Sequence, residues 1–205
     1  MMIFSQLATV AMVALGLWMM MSSRPEDGKP FSGDGLKALK FFTVLSNILA
    51  GLTSLGVLVC AMLGTGLGTA LVWKYVGTVS VTLTFFVTAC FLAPKEGSKA
   101  PDLYRGGNFF FHLAVPLVCM ASCVWLEKAE LSFAMTLWGV VPMALYAVYY
   151  LIGGLRHREG DRVDPEYDWY GFFSGGVHTV PLVLLVMFLA TWAMAILLWL
   201  PSRIV

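Results

Sequence analysis

The sequence predicts an all-α integral membrane protein with six transmembrane helices in one bundle, and two observations lead to this class. Of the 205 residues, 59% are apolar and only 12% are charged, and the mean hydropathy is +0.81. A soluble domain of this length has too little interior to bury so much apolar surface. Six apolar stretches also approach the ~20 residues that a spanning helix needs. We therefore treat residues 1–205 as a single six-helix transmembrane domain.

Each apolar stretch is bounded by a charged or glycine-rich connection. The spans are expected at residues 2–21, 41–63, 71–92, 109–126, 131–151 and 177–200. The first stretch lacks a basic leader and a small-residue cleavage site, so it is expected to stay in the protein as a helix. The connections at residues 22–40, 93–108 and 152–176 are long and charged, whereas those at 64–69 and 127–130 are short.

The distribution of lysine and arginine predicts the orientation. Ten of these residues fall in the three long connections, and the other side holds only Lys74, Lys128 and Arg203. Because cytoplasmic loops carry an excess of lysine and arginine, we expect the long connections in the cytoplasm and both termini outside.

Composition also excludes several functions. The net charge is +1, so there is no electrostatic case for binding nucleic acid. The four cysteines, at positions 60, 90, 119 and 123, all lie in apolar stretches without a C-x-x-C pair. Free cysteine in such a position behaves as a small buried hydrophobe. We expect no metal site and no cofactor.

Three polar groups are predicted to meet in one layer just inside the membrane. Thr43 and Asn47 lie one helical turn apart at the start of the second span, with Ser46 beside them. At a rise of 1.5 Å per residue, Thr43 lies roughly 5 Å inside the apolar span. His112 enters the fourth span at a similar depth, and His178 opens the sixth from the same side. Ionisable residues inside spans are uncommon and usually face the bundle interior or water.

Two prolines lie close to these histidines. Pro116 lacks an amide hydrogen, so the carbonyl of His112 loses its helical partner, and Pro181 has the same effect on Val177. Freed carbonyls at membrane depth are tolerated where other helices, water or a cavity satisfy them. We expect the backbone beside both histidines to be kinked and hydrated.

The available side chains favour one chemistry over others. No Asp or Glu lies within an apolar stretch, which argues against a proton- or sodium-coupled transporter and against a carboxylate-rich metal site. A hydroxyl and an imidazole remain, which is the minimum for nucleophilic attack on an acyl group. The plainer interpretation is also open, since a Ser or Thr in a helix often bonds the carbonyl one turn back and a neutral His can satisfy a neighbouring carbonyl.

Several motifs resemble known membrane proteins. Phe-Thr-Val-Leu-Ser-Asn (42–47), Val-Thr-Leu-Thr-Phe (81–85), Gly-Gly-Asn-Phe-Phe-Phe-His-Leu-Ala-Val-Pro (106–116) and Asp-Trp-Tyr-Gly-Phe (168–172) resemble a group of uncharacterised six-helix bacterial membrane proteins. More distantly, the chain is similar to the androgen-induced and androgen-dependent TFPI-regulating protein family of intramembrane threonine hydrolases. Lys40 to Leu45 matches the context of that family's catalytic threonine, and His112 to Pro116 loosely matches that of its histidine. Ser46 precedes Asn47 where the family has the asparagine closer to the threonine.

This resemblance implies a hydrolase of fatty acid esters of hydroxy fatty acids in the bacterial cytoplasmic membrane. Thr43 would be the nucleophile and His112 the base, working in a cavity between the second, third, fourth and sixth spans. The remaining candidates bind the oxyanion or the substrate, and they are Asn47, Ser46, Lys40, Arg105 and His178. Membrane lipids are the expected substrates or ligands. Trp73, Tyr104, Trp169 and Tyr170 are expected to form an interfacial aromatic belt.

Three other functions stay open from the sequence. The protein could bind a lipid or another ligand without catalysis, or serve as a small facilitator lined by hydroxyls of the third span. It could also be a structural subunit with no cavity. A cavity at Thr43 would favour ligand binding or a facilitator, whereas tight packing there would favour a structural subunit.

Overall fold

The computed structural model describes residues 1–22, 35–127 and 129–203, and within these ranges six helices are long and apolar enough to cross a membrane. They are α1 (Met2–Ser22), α2 (Phe42–Leu63), α3 (Leu67–Tyr104), α4 (Gly107–Trp125), α5 (Phe133–Arg156) and α6 (Val177–Trp199). The prediction of an all-α polytopic membrane protein is confirmed. Three basic residues used for the orientation, Arg24, Lys29 and Lys128, lie outside the described residues.

Helix α3 is longer than predicted at both ends. It begins at Leu67, directly after Gly66, whose φ of +71° is a left-handed conformation that glycine adopts without strain. At its other end it continues to Tyr104, where the sequence predicted a loop over residues 93–108. The extension is a short α-helix at Ala93–Glu96 followed by 3₁₀ turns at Gly97–Tyr104. Pro94 lies at the start of that short helix, where the missing amide hydrogen costs nothing.

Non-α turns interrupt four of the helices. Helix α3 contains a π turn at Thr88–Leu92, and α4 contains one at Phe110–Ala114. Helices α5 and α6 begin with 3₁₀ turns at Phe133–Val140 and Val177–Thr179. Regular α-helix resumes at a proline in α4, α5 and α6, namely Pro116, Pro142 and Pro181. The expected backbone disturbance beside His112 is thus a π turn.

Helices α1 to α4 form the most tightly packed part of the bundle. Val13, Ala50, Val81 and Val115, one from each helix, are buried together with Cys119 in one cluster. Glycines allow close approach elsewhere, because a side chain at Gly107 would strike the backbone of α1. Helices α5 and α6 pack against each other and against α3.

The described parts of the long connections gather at one end of the bundle, which we call the loop end. A small antiparallel hairpin there pairs β1 (Arg158–Glu159) with β2 (Arg162–Val163). The chain after the hairpin folds back over the bundle, where Phe173 packs against Tyr150 and Val180. This returning segment brings residues 168–173 against the start of α2.

Candidate functional site

A cavity of about 520 Å³ opens inside the bundle near the loop end. It lies between α2, α3, α5 and α6, so α5 takes the place in its wall that the sequence analysis gave to α4. Leu83, Met143 and Val183 represent its lining, which is mostly apolar. The volume falls within the roughly 300–1,000 Å³ typical of small-molecule sites.

Hydroxyl groups collect where the cavity meets the loop end. Thr43 from α2, Thr84 and Thr88 from α3, Tyr146 and Tyr150 from α5, and Tyr170 from the returning segment all line it. Apolar sites with a few convergent polar groups are typical of ligand pockets, where the polar groups orient the ligand. This arrangement can therefore hold an apolar chain with a polar group at one end.

Tyr170 contacts the start of α2 beside Thr43. The amide of Phe42 donates a hydrogen bond to the Tyr170 hydroxyl at 3.0 Å. The phenol therefore satisfies a donor at the first turn of α2, which no side chain of α2 itself caps. Burial raises the pKa of Tyr170 above its ordinary value of 10.0, so the group is a neutral phenol near pH 7.

Asp168 holds the returning segment against α5. The Tyr150 hydroxyl donates a hydrogen bond to Asp168 Oδ1. The amide of Phe173 donates to both carboxylate oxygens at 3.2 Å. These bonds make Asp168 a structural tie behind the cavity wall.

Two further polar groups on α3 reach the cavity. Thr88 is 1% exposed, and its hydroxyl has no hydrogen-bond partner within the described part of the chain. Lys95 is exposed and lies at the cavity rim beside Gly171. No carboxylate of the described residues lies within 4.0 Å of its ammonium group. A ligand can offer both groups the partners that this part of the protein does not supply.

His112 lies in the bundle interior but not on the cavity wall. It is 2% exposed, and its Nδ1 lies 2.6 Å from the carbonyl oxygen of Leu103. Because a carbonyl only accepts, Nδ1 carries the proton. The ring also meets Tyr104 edge-on, with centroids 6.4 Å apart. Among the described residues no hydrogen bond joins Thr43 to His112, so the structure does not assemble the expected pair.

Asn47 and Ser46 are occupied by backbone contacts. The Asn47 amide nitrogen donates to the carbonyl of Thr43 at 2.7 Å and to that of Phe111 at 3.1 Å. The Ser46 hydroxyl donates to the Thr43 carbonyl at 3.0 Å and lies 2.9 Å from the hydroxyl of Thr84. These side chains tie α2 to α3 and α4, and neither points a donor at an oxyanion site beside Thr43.

The other three predicted site residues lie outside the cavity lining. The Lys40 ammonium stands over the rings of Phe41 and Trp169, at 5.5 and 5.3 Å from their centroids. Arg105 is exposed and pairs with Asp102 at 3.0 Å. His178 is exposed and lies 3.9 Å from the carboxylate of Asp161. Arg105 and His178 thus have charged neighbours on the protein surface.

Sequence reasoning missed a second polar cluster at the opposite end of the bundle. Lys74, placed near a helix end by its position, is fully buried in α3 and donates to Cys119 Sγ at 3.1 Å. Glu127 is only 8% exposed, and its Oε1 accepts from Gln6 and from Ser122 at 2.7 Å each. Glu127 also interacts electrostatically with Lys74.

The polar groups of this cluster come from three separate helices and the turn that follows α4. Gln6 belongs to α1, Lys74 to α3 and Ser122 to α4, and no local motif links them. One sequence signal could have indicated this cluster. It is the spacing of Cys119, Ser122 and Glu127 near the end of one span. The sequence analysis took Glu127 as a turn residue instead.

Most hydroxyls of α3 bond a carbonyl one turn back in their own helix. Thr78, Ser80, Thr82 and Thr84 each bond the carbonyl four residues earlier in the same helix. This confirms that they satisfy their own helix, as expected for packing. Within the described residues, it leaves Thr88 as the member of this series without such a bond.

Comparison of the chain with known proteins gives no match among family models, curated proteins or solved structures. The similarity to threonine hydrolases therefore remains an expectation from short motifs. Function has to be argued from the cavity itself.

Proposed function

We propose that this protein binds a membrane lipid, holding an acyl chain in the cavity between α2, α3, α5 and α6. The observation that carries the proposal is the cavity of about 520 Å³, apolar along its length and polar at its loop end. Acyl chains surround a transmembrane bundle, and Phe91, Leu182 and Val186 at the cavity edge are exposed toward them. A chain can thus enter sideways without crossing water.

The polar end of the cavity suits a lipid headgroup. Lys95 is a cation at the rim, and Thr88 offers a buried hydroxyl that lacks a partner in the described chain. Two turns separate these residues on α3, which corresponds to about 10 Å. The headgroup would lie at Lys95, and a polar atom nearer the chain would meet Thr88.

Lipid retention by purified protein tests this proposal. Ala147 lines the cavity and has a small side chain, so Ala147→Trp fills the space. We expect native mass spectrometry to show lipid on the wild type and little on Ala147→Trp. Ala144→Trp, on the same helix but outside the cavity lining, should retain lipid as the wild type does. Equal retention by all three proteins would contradict the proposal.

Hydrolysis of a lipid ester is the second candidate, because Thr43 itself lines the cavity. The hydroxyl lies where a bound ester could meet it, in the position expected for a nucleophile. Threonine also needs a base, and the ionisable group beside it at the start of α2 is the phenol of Tyr170. A neutral phenol with a raised pKa donates a proton more readily than it accepts one. This is why we place binding ahead of hydrolysis.

A fluorophosphonate probe distinguishes the two functions. A hydrolase with Thr43 as nucleophile would be labelled, and Thr43→Ala would abolish labelling while lipid stays bound. A binding protein would show no labelling in either form. Thr53→Ala is a suitable control, since Thr53 also lies in α2 and bonds only its own helix at 2.9 and 3.2 Å.

We also propose that the loop end faces the cytoplasm of a bacterial cell, with both termini outside. The excess of lysine and arginine in the long connections supports this orientation. In intact cells, a membrane-impermeant maleimide should label Glu130→Cys at the opposite end and spare Lys99→Cys and Glu159→Cys. All three positions are exposed, so the reverse pattern would invert the topology.

A further inference from the structure

A second apolar space lies beside the cavity, on the membrane face between α2 and α5. This groove, of about 280 Å³, is lined by one face of each helix. From α2 it takes Phe42, Leu45, Ser46 and Leu49, and from α5 Pro142, Leu145, Tyr146 and Tyr149. Both sets follow the i, i+3, i+4, i+7 spacing of a single helical face. Leu145 and Tyr149 are 67% and 50% exposed, so the groove is open to surrounding lipid.

Phe42 and Tyr146 form a partition between the two spaces, because both residues line the cavity and the groove. Their ring centroids are 5.2 Å apart. The Tyr146 hydroxyl donates to the carbonyl of Lys40 at 2.7 Å and accepts from the indole of Trp169 at 3.0 Å. Two hydrogen bonds and a ring contact thus hold the partition in place.

The two spaces start at the same depth and run side by side. Phe42 is the first residue of α2 at the loop end, and both spaces extend from it into the span. From Phe42 to Leu49 the groove covers seven residues, which is about 10 Å of helix. Lys40 lies just above the partition and Lys95 at the cavity rim. Cations therefore lie at the loop end of both apolar spaces.

We propose that the cavity and the groove receive the two chains of one two-chain, anionic lipid, with the Phe42–Tyr146 partition between the chains. This inference rests on the proposed lipid-binding function and names its ligand class. The cavity holds one chain inside the bundle, the groove holds the other at the membrane face, and the headgroup lies above the partition, in reach of Lys95 at the cavity rim and of Lys40. A single-chain lipid fills the cavity but leaves the groove empty.

Competition between one-chain and two-chain lipids tests this inference. Purified protein is offered equal amounts of dioleoyl and lyso-oleoyl phosphatidylglycerol, and the retained lipid is counted by native mass spectrometry. We expect the wild type to retain the two-chain lipid about tenfold better, equivalent to about 1.4 kcal/mol. Leu145→Trp fills the groove and should bring the ratio close to one without changing retention of the one-chain lipid.

Val148→Trp is the matched control. Val148 is 54% exposed on the same helix and lines neither space, so its replacement should keep the wild-type ratio. A wild-type ratio near one, or an equal loss of both lipids in Leu145→Trp, would overturn the two-chain inference and leave lipid binding intact. Failure of the wild type to retain either lipid would overturn the proposed function itself.

Discussion

The two ends of the bundle both bury polar groups at membrane depth, but they use them differently. At the loop end, phenols and threonine hydroxyls line an apolar cavity, and Thr88 keeps an unsatisfied hydroxyl in the described structure. At the opposite end, Lys74, Glu127, Ser122 and the amide nitrogen of Gln6 bond or interact with neighbours in a packed interior. The Oε1 of Gln6 also lacks a partner in the described structure, but Gln6 does not line the cavity as Thr88 does. The contrast indicates that an unsatisfied buried polar atom points to a ligand site where it lines a cavity.

The largest expected effect lies at the opposite end, where charge is most deeply buried. Lys74→Met removes the cation that faces Glu127 and leaves a nearly buried carboxylate uncompensated. Removing one of two buried charges that interact costs up to about 3–5 kcal/mol, the value for a close ion pair. Thermal unfolding in detergent should show a corresponding loss, while lipid bound at the loop end is retained by the protein that stays folded.

The double variant Lys74→Met/Glu127→Gln separates charge from packing. With both charges removed, much of the lost stability should return, because a neutral pair no longer needs compensation. A double variant no more stable than Lys74→Met alone would show that packing of the lysine chain, and not the pairing, dominates.

A smaller effect is expected from crowding behind the cavity. A side chain at Gly154 would overlap the ring of Phe173, which is packed against Tyr150. Gly154→Ala should cost about 1–3 kcal/mol, as overpacking usually does, and should also weaken lipid retention. Gly153→Ala is the adjacent control, since its nearest neighbour, Tyr167, is 4.0 Å away. Equal stability and equal lipid retention of the two variants would argue against close packing between Gly154 and Phe173.

Tyr170→Phe tests the contact between the returning segment and α2. It keeps the ring but leaves the Phe42 amide without its acceptor, which should cost about 1–2 kcal/mol at neutral pH. Burial raises the pKa of Tyr170 above 10.0, so the unfolded chain loses this proton before the folded protein does. Stability is therefore fully present below pH 10 and falls as the pH rises further. The alkaline decline should be shallower in Tyr170→Phe, as measured by unfolding at pH 8 to 11.

The smallest effect is expected for His178→Ala. His178 and Asp161 are 76% and 66% exposed at a separation of 3.9 Å, and such surface pairs contribute about 0–1 kcal/mol. Neither lipid retention nor its pH dependence should change beyond error. A clear loss of bound lipid would show that His178 contributes to the lipid site, although it lies outside the cavity lining.

Sequence patterns predicted the helices well, because a span is a local property. Length and apolar composition alone located all six, and the back-bonding threonines of α3 followed from helix geometry. The predicted helix boundaries were wrong where a helix continues beyond its apolar stretch into charged sequence. Residues 93–104 read as a charged loop, yet they continue α3 as short helical turns that local hydrogen bonds support.

The site was only half predictable from the sequence. Thr43 was identified from its depth, and it does line the cavity. Its neighbour is Tyr170, which the sequence analysis assigned to an interfacial belt, because nothing local shows that the segment before α6 folds back onto α2. His112 was predicted at the same depth, but it does not line the cavity with Thr43. The depth of a residue in the membrane follows from its position along the helix. The direction in which its side chain points depends on how the helix is rotated about its axis, and packing sets that rotation.

The π turn at Thr88–Leu92 also has a consequence for protein engineering. A π turn accommodates one residue more than an α turn, and each residue rotates a helix by about 100°. Deleting Leu92 would convert the π turn to regular helix. This would rotate Lys95 away from the cavity rim. Chain length at this point, as much as side-chain chemistry, sets which face of α3 lines the cavity.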